Sequence, residues 1–222
     1  MKMAHYLLNN PVEWKNYCVN TFVIENPVLY RDFLSELYSQ SRGEEGRFVL
    51  SDEIEILSFS KNVEFVGNIM EIGNENDKKI SNAITKELSE IAINDCYTDT
   101  IELYGKINET ISNLIFKSKR DFIFDEINDI SQIIKLYNVR PDYSEISLAE
   151  KLLLYMELCE QYLKKKLFVI ANLHLFFKRD ELELLFKNFV YQQYKVFIIE
   201  RYDIEPSELE LKRIIDIDLC EI

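Results

Sequence analysis

Two apolar runs of strand length constrain this chain most. They are Leu167–Ala171 (LFVIA) and Lys195–Glu200 (KVFIIE). A strand that is apolar at successive positions, not at alternate ones, must be covered on both faces, which is the habit of parallel sheets. Between them Arg179 to Val190 places Leu182, Leu185, Phe186 and Phe189 on one helical face. Strand, helix of about three turns, strand is a βαβ unit, and its crossover returns the chain to a parallel neighbour.

A second strand–helix pair lies near the N-terminus. Val19 to Glu25 (VNTFVIE) reads as a strand, and Asn26-Pro27 follows as N-cap and first helical residue. Tyr30, Phe33, Leu34 and Leu37 then share a helical face. Phe48–Leu50, Glu53–Leu57 and Val63–Ile72 read as short strands at a sheet edge. Ser147-Leu148-Ala149-Glu150 is a capping-box pattern that opens a helix with Leu148, Leu152, Tyr155, Cys159 and Tyr162 on one side. Lys212 to Leu219 reads as a last strand.

The texture between these parts is different. From Asp77 to Tyr137 the apolar residues recur at helical spacing in three stripes: Ile80, Ile84, Leu88 and Ile91; Ile101, Tyr104, Ile107, Ile111, Leu114 and Ile115; Ile127, Ile130, Ile134 and Tyr137. The expected organisation is an α/β domain built from residues 1–74 and 144–222, interrupted by an α-helical domain at residues 75–143.

The chain has 222 residues, which suits one large domain or a core domain with a smaller lobe. Its net charge of −13 argues against a polyanion as partner unless the basic residues are gathered in one place. Cys18, Cys96, Cys159 and Cys220 form no C-x-x-C pair and only two histidines are present, so zinc is not expected and buried thiols are. The N-terminus lacks the apolar core of a signal peptide, and no run approaches the length of a membrane span, so a cytoplasmic protein is expected.

A P-loop would sit where the first strand meets its helix. Glu25-Asn26-Pro27-Val28 has neither the glycines that cradle phosphate nor the lysine that reaches it. Asn172 follows the Leu167–Ala171 strand, where P-loop NTPases carry a magnesium-binding acid, and an amide is no anionic ligand. His174 is expected to be a hydrogen-bonded loop residue, and no serine or cysteine has an identifiable histidine partner. Three basic clusters remain: Lys164, Lys165 and Lys166; Lys117, Lys119 and Arg120; Lys178 and Arg179. Each suits phosphate contact, and the first two equally suit a helix C-terminus. Asp121, Asp125, Glu126 and Asp129 gather acid around a helix start, which fits either the helix dipole or a hard cation such as calcium.

Gln161–Phe177 (QYLKKKLFVIANLHLFF) resembles the adaptation proteins of type II-A CRISPR systems, the Csn2 family. So do the helix start at Asp180–Glu183, the strand ending in Glu200, and Phe124-Asp125-Glu126-Ile127 at a similar distance before the lysine run. The order and length of the whole chain fit as well. The resemblance implies a P-loop-ATPase-like head without working Walker motifs and a helical leg. It implies a non-enzymatic homotetrameric ring that takes up double-stranded DNA by its ends, without sequence preference, during spacer acquisition. Calcium, bound in the leg, is the implied cofactor. The implied partners are duplex DNA, the integrase proteins and the effector nuclease of the same system, with no membrane involved. By position in the family pattern, Lys164, Lys165 and Lys166 would touch DNA, and Asp125 and Glu126 would hold calcium. The chain departs from the pattern at Lys117, Lys119 and Arg120, which stand where family members are acidic. Two rivals are a protein-bridging scaffold of the adaptation complex without DNA binding of its own, and an NTPase of degenerate motif.

Overall fold

The computed structural model describes residues 1–14, 19–73 and 78–222. In chain order the larger of two compact units begins with β1 (Lys2–Ala4), β2 (Val12–Glu13), β3 (Val19–Ile24), α1 (Pro27–Ser41), β4 (Val49–Asp52), β5 (Glu55–Leu57), α2 (Phe59–Asn62) and β6 (Val63–Val66). The second unit, Glu75–Asp142, holds α3 (Lys78–Asn94), α4 (Tyr97–Ser118) and α5 (Ile130–Leu136). The larger unit resumes with α6 (Leu148–Leu163), β7 (Leu167–Ala171), α7 (Arg179–Tyr191), β8 (Val196–Glu200) and β9 (Glu210–Ile215).

The protein is an α/β protein. Five parallel strands run in the order β6-β7-β8-β3-β9. In register, Thr21 of β3 lies beside Ile198 of β8, and Val169 of β7 beside Phe197. The three inner strands are buried at every position. Phe22, Ile24, Val169, Phe197 and Ile199 pack on one face with Phe33 and Leu37 of α1. Leu182, Leu185, Phe186 and Phe189 of α7 are buried as their spacing requires. The cap at Asn26 forms: its side-chain oxygen accepts from the N–H groups of Val28 and Leu29 at 3.1 Å each. The capping box at Ser147 and Glu150 forms too.

Several short elements differ from the reading of the sequence. β4 and β5 join β1 and β2 in a separate antiparallel sheet, order β2-β1-β4-β5, which Met3, Val12 and Leu50 tie to the core. β6 ends at Val66, because the Asn68 side chain accepts from Met70 N and opens a 3-10 turn at Ile69–Glu71. The last strand is Glu210–Ile215 and not Lys212–Leu219. The Asp216 carboxylate accepts from Asp218 N and Cys220 N and turns the chain back, so that Ile222 meets Ile214. Cys159 is buried, whereas Cys96 and Cys220 lie exposed in turns, contrary to expectation, and Cys18 falls outside the described residues.

In the helical unit α3 and α4 form over the first two stripes, with Ile91, Ile101, Ile111 and Leu114 of those stripes left exposed, and Thr100 Oγ1 donates to the carbonyls of Ala92 and Cys96 across the turn between them. The third stripe yields only α5, a seven-residue helix. Asp129 caps it through Ser131, and the segment before it has no regular secondary structure and is pinned where Asn108 exchanges two hydrogen bonds with the backbone of Ile127. Among the described residues no helix is long and apolar enough to cross a membrane.

Removing the cap tests this construction. Asn26→Ala should lower stability by about 1 kcal/mol, read as a lower urea midpoint with an unchanged slope. An unchanged midpoint would mean that the α1 start is held by other contacts.

Candidate functional site

A parallel sheet has two different edges, and the chemistry of this chain divides between them. At the carboxyl edge the β3–α1 turn holds no phosphate cradle. The first free N–H groups of α1 are taken by the Asn26 side chain, whose amide also donates to Ile217 O at 3.1 Å. Asn172, at φ 54° in the left-handed region that asparagine tolerates, accepts a hydrogen bond of 2.6 Å from Tyr30 Oη. Both positions where a nucleotide site would be built are filled by amide side chains engaged within the fold.

Beside them lies a buried network that the sequence only half disclosed. β8 ends in Glu200, 2% exposed. Its carboxylate accepts from His174 N at 3.0 Å and meets His174 Nδ1 at 2.8 Å. On the other side of the ring, Nε2 stands 3.3 Å from Glu210 of β9, which also accepts from Thr21 Oγ1 and from Ser207 N. Burial works against charge on the imidazole, but bonds and charge from the two glutamates outweigh it and lift the His174 pKa to about 9. For Glu210 burial pulls upward, and the bonds from His174 and Thr21 prevail and hold its pKa below the usual value. A cavity of about 220 Å³ adjoins the network, walled by Phe177, Leu182, Phe186 and Ile204, with the Arg179–Glu205 ion pair at its rim. The apolar strand ending in Glu200 was a visible signal, since a charge there must be buried. Glu210 carried none.

At the amino edge the lysine run divides. Lys164 takes the left-handed conformation (φ 56°) and ends α6. Lys165 N closes the helix on Cys159 O at 3.2 Å, and Lys166 N donates to Asn62 O at 2.8 Å. The Lys165 side chain turns inward and is only 6% exposed. Its ammonium donates to Ser60 O at 2.8 Å and Val63 O at 2.7 Å, and lies 3.2 Å from Glu64, which accepts from Tyr155 Oη at 2.9 Å. Lys165 therefore belongs to the core and not to a DNA surface. Lys164 and Lys166 are exposed.

The other nominated residues fall elsewhere. Lys178 and Arg179 follow β7 and open α7, so they lie at the carboxyl edge, separated from Lys166 by the length of β7, about 16 Å at 3.3 Å per residue. Arg179 is paired with Glu205 at 2.6 Å. Lys117, Lys119 and Arg120 are exposed at the end of α4, in the other unit. Asp121, Asp125 and Glu126 are exposed in a segment without regular secondary structure, and Asp129 is committed to capping α5 through Ser131, which holds its carboxyl below the usual range. Among the described residues no group of three carboxylate, histidine or cysteine side chains stands ready for a metal. The four acids do not fit a calcium site within one chain.

Two substitutions probe these networks. Lys165→Met strands Glu64 and two carbonyls, and should cost about 3 kcal/mol in a urea titration, whereas Lys164→Met should change little. For His174 the folded pKa is raised. Its stabilisation is complete below the unfolded value near 6.5 and fades as pH rises through about 9. The stability gap between the protein and His174→Gln should thus be constant at acid pH and shrink between pH 6.5 and 9; a gap that widens would contradict the network.

Comparison with known proteins places the chain. A family model described as "CRISPR-associated protein (Cas_Csn2)" matches residues 40–219, and the chain belongs to that family of CRISPR adaptation-associated proteins. No curated relative matches. A solved chain from Pyrococcus furiosus, named as an ABC transporter ATP-binding protein, is 11% identical with a TM-score of 0.38 over 91% of this chain and 88% of that one. So loose a likeness bears no weight.

Proposed function

We propose that this member of the Cas_Csn2 family binds the ends of double-stranded DNA without sequence preference, as a non-enzymatic homotetrameric ring serving spacer acquisition. One observation carries the reading: the buried ammonium of Lys165 anchors the lysine run in the core and so holds Lys164 and Lys166 outward as a fixed pair. Backbone phosphates are met by such point charges, and contacts of this kind carry no sequence information. Lys117, Lys119 and Arg120 form a second exposed set in the helical unit. The engaged Asn26 and Asn172 support binding over nucleotide hydrolysis. Assembly is supported by apolar residues that α4 and the segment after it leave exposed, Leu114, Phe116 and Ile123 among them.

The experiment joins mass to binding. Light scattering, with and without calcium because the acids form no ready cage in one chain, should give a tetramer. A short blunt duplex should bind with affinity that falls steeply as salt rises. Lys164→Glu with Lys166→Glu should weaken binding at low salt by about tenfold or more. A monomer at micromolar concentration that binds no duplex at low salt overturns the reading. A tetramer whose affinity survives the double reversal favours a protein-bridging scaffold.

A further inference from the structure

Several lysines of the larger unit gather at the amino edge of the parallel sheet, and Lys195 among them stood outside the clusters evident in the sequence. Lys195 immediately precedes β8, next to β7 in the sheet, and its carbonyl accepts from Phe168 N at 3.0 Å. Lys166 immediately precedes β7. Adjacent strands lie about 4.8 Å apart, so these two lysines flank one stretch of the amino edge, with Lys164 one step away at the end of α6. Both Lys166 and Lys195 act on the Asp52 carboxylate, which the N-terminal amino group already engages at 3.0 Å. That acid is locally answered. The other acids on this side are Glu157 and Glu160, in the last turns of α6, and Glu208 before β9.

The carboxyl edge has the opposite character. Open α/β sheets ordinarily take ligands there. Here Glu25, Asp180, Glu181, Asp203, Glu205, Asp216 and Asp218 outnumber the cations Arg31, Lys178, Arg179, Arg201 and Lys212, of which Arg31 is engaged by Asp32, Arg179 by Glu205, Arg201 by Ile24 O and Lys212 by Asp203. Acid prevails on that side, which disfavours a polyanion there.

We infer that the larger unit meets the DNA backbone with the amino edge of its parallel sheet, the reverse of the edge where such sheets bind ligands, and that Lys195 is a phosphate-contact residue in one row with Lys164 and Lys166. The inference rests on the duplex-binding reading above and adds to it a location and a residue. Lys195 is half-buried and its carbonyl, not its side chain, serves the sheet; its head group acts on Asp52 only through charge, and Asp52 keeps the N-terminal amino group, so substitution should leave the fold in place.

The test uses the full chain, a blunt duplex and fluorescence anisotropy across a salt series. Lys195→Ala should weaken binding to unrelated duplex sequences alike and lower the slope of log K against log salt by about 1, the share of one phosphate. Glu160→Gln, which removes an acid beside the row, should strengthen binding. Arg31→Ala, at the start of the second turn of α1 near the carboxyl edge, should change neither affinity nor slope. Thermal melts and scattering confirm that each variant keeps fold and mass. Unaltered slope and affinity in Lys195→Ala, or a larger loss in Arg31→Ala, overturns the location while leaving duplex binding intact. A wild-type chain that binds no duplex overturns both.

Discussion

Everything in the larger unit follows from covering β3, β7 and β8 on both faces. Their interior positions can all be apolar, but each strand must surface somewhere, and the charges at its ends then lie within a dry layer. Glu200 at the end of β8 and Lys165 just before β7 are the two cases, at 2% and 6% exposure. An isolated buried charge is prohibitively unfavourable, so each has recruited an answer. Glu200 is met by His174, whose ring then draws in Glu210 from β9. Lys165 is met by Ser60 O, Val63 O and Glu64. These two networks hold the loops at opposite edges of the sheet, and with them the surfaces those loops present.

A net charge of −13 is a property of the whole surface, whereas a phosphate backbone samples the local field within about a Debye length, roughly 10 Å at moderate salt. The two edges are separated by more than that. Acid concentrated along the carboxyl edge therefore does little to cancel lysines at the other. Overall acidity and a basic contact surface are compatible because the parallel sheet keeps them apart.

The long-range plan was legible because it rests on periodicity and on chemistry of fixed spacing. The βαβ unit, the Asn26 cap and the Ser147 capping box follow from patterns that local physics enforces. Elements of two to four residues were legible only in part: β4 and β5 could be read as strands but not assigned to their separate sheet, β1 and β2 span too few positions to show a period, and β6 stops where a side-chain bond from Asn68 competes with the ladder. Nor could three consecutive lysines reveal which one turns inward. That is decided by Lys164 adopting the left-handed conformation and by carbonyls of α2 and β6, residues about a hundred positions away in the chain. The acids at residues 121–129 illustrate a related limit: neighbours in sequence become neighbours in space only if the backbone curls, and here no three of them stand together.

The carboxyl edge shows how bonds within a fold can occupy the place where open α/β sheets ordinarily take ligands. An N-terminal helix end attracts anions because its first N–H groups are unpaired. Asn26 pairs two of them from within, so the strongest local reason for a phosphate to bind there is gone, and Asn172 spends its acceptor on Tyr30. With that crevice satisfied internally and fringed by acid, no field remains there to draw a polyanion. The lysines at the opposite edge face no such competition: the one whose charge the fold needs is inside, and those it does not need are outside. Charge held outward in this way carries no sequence information of its own.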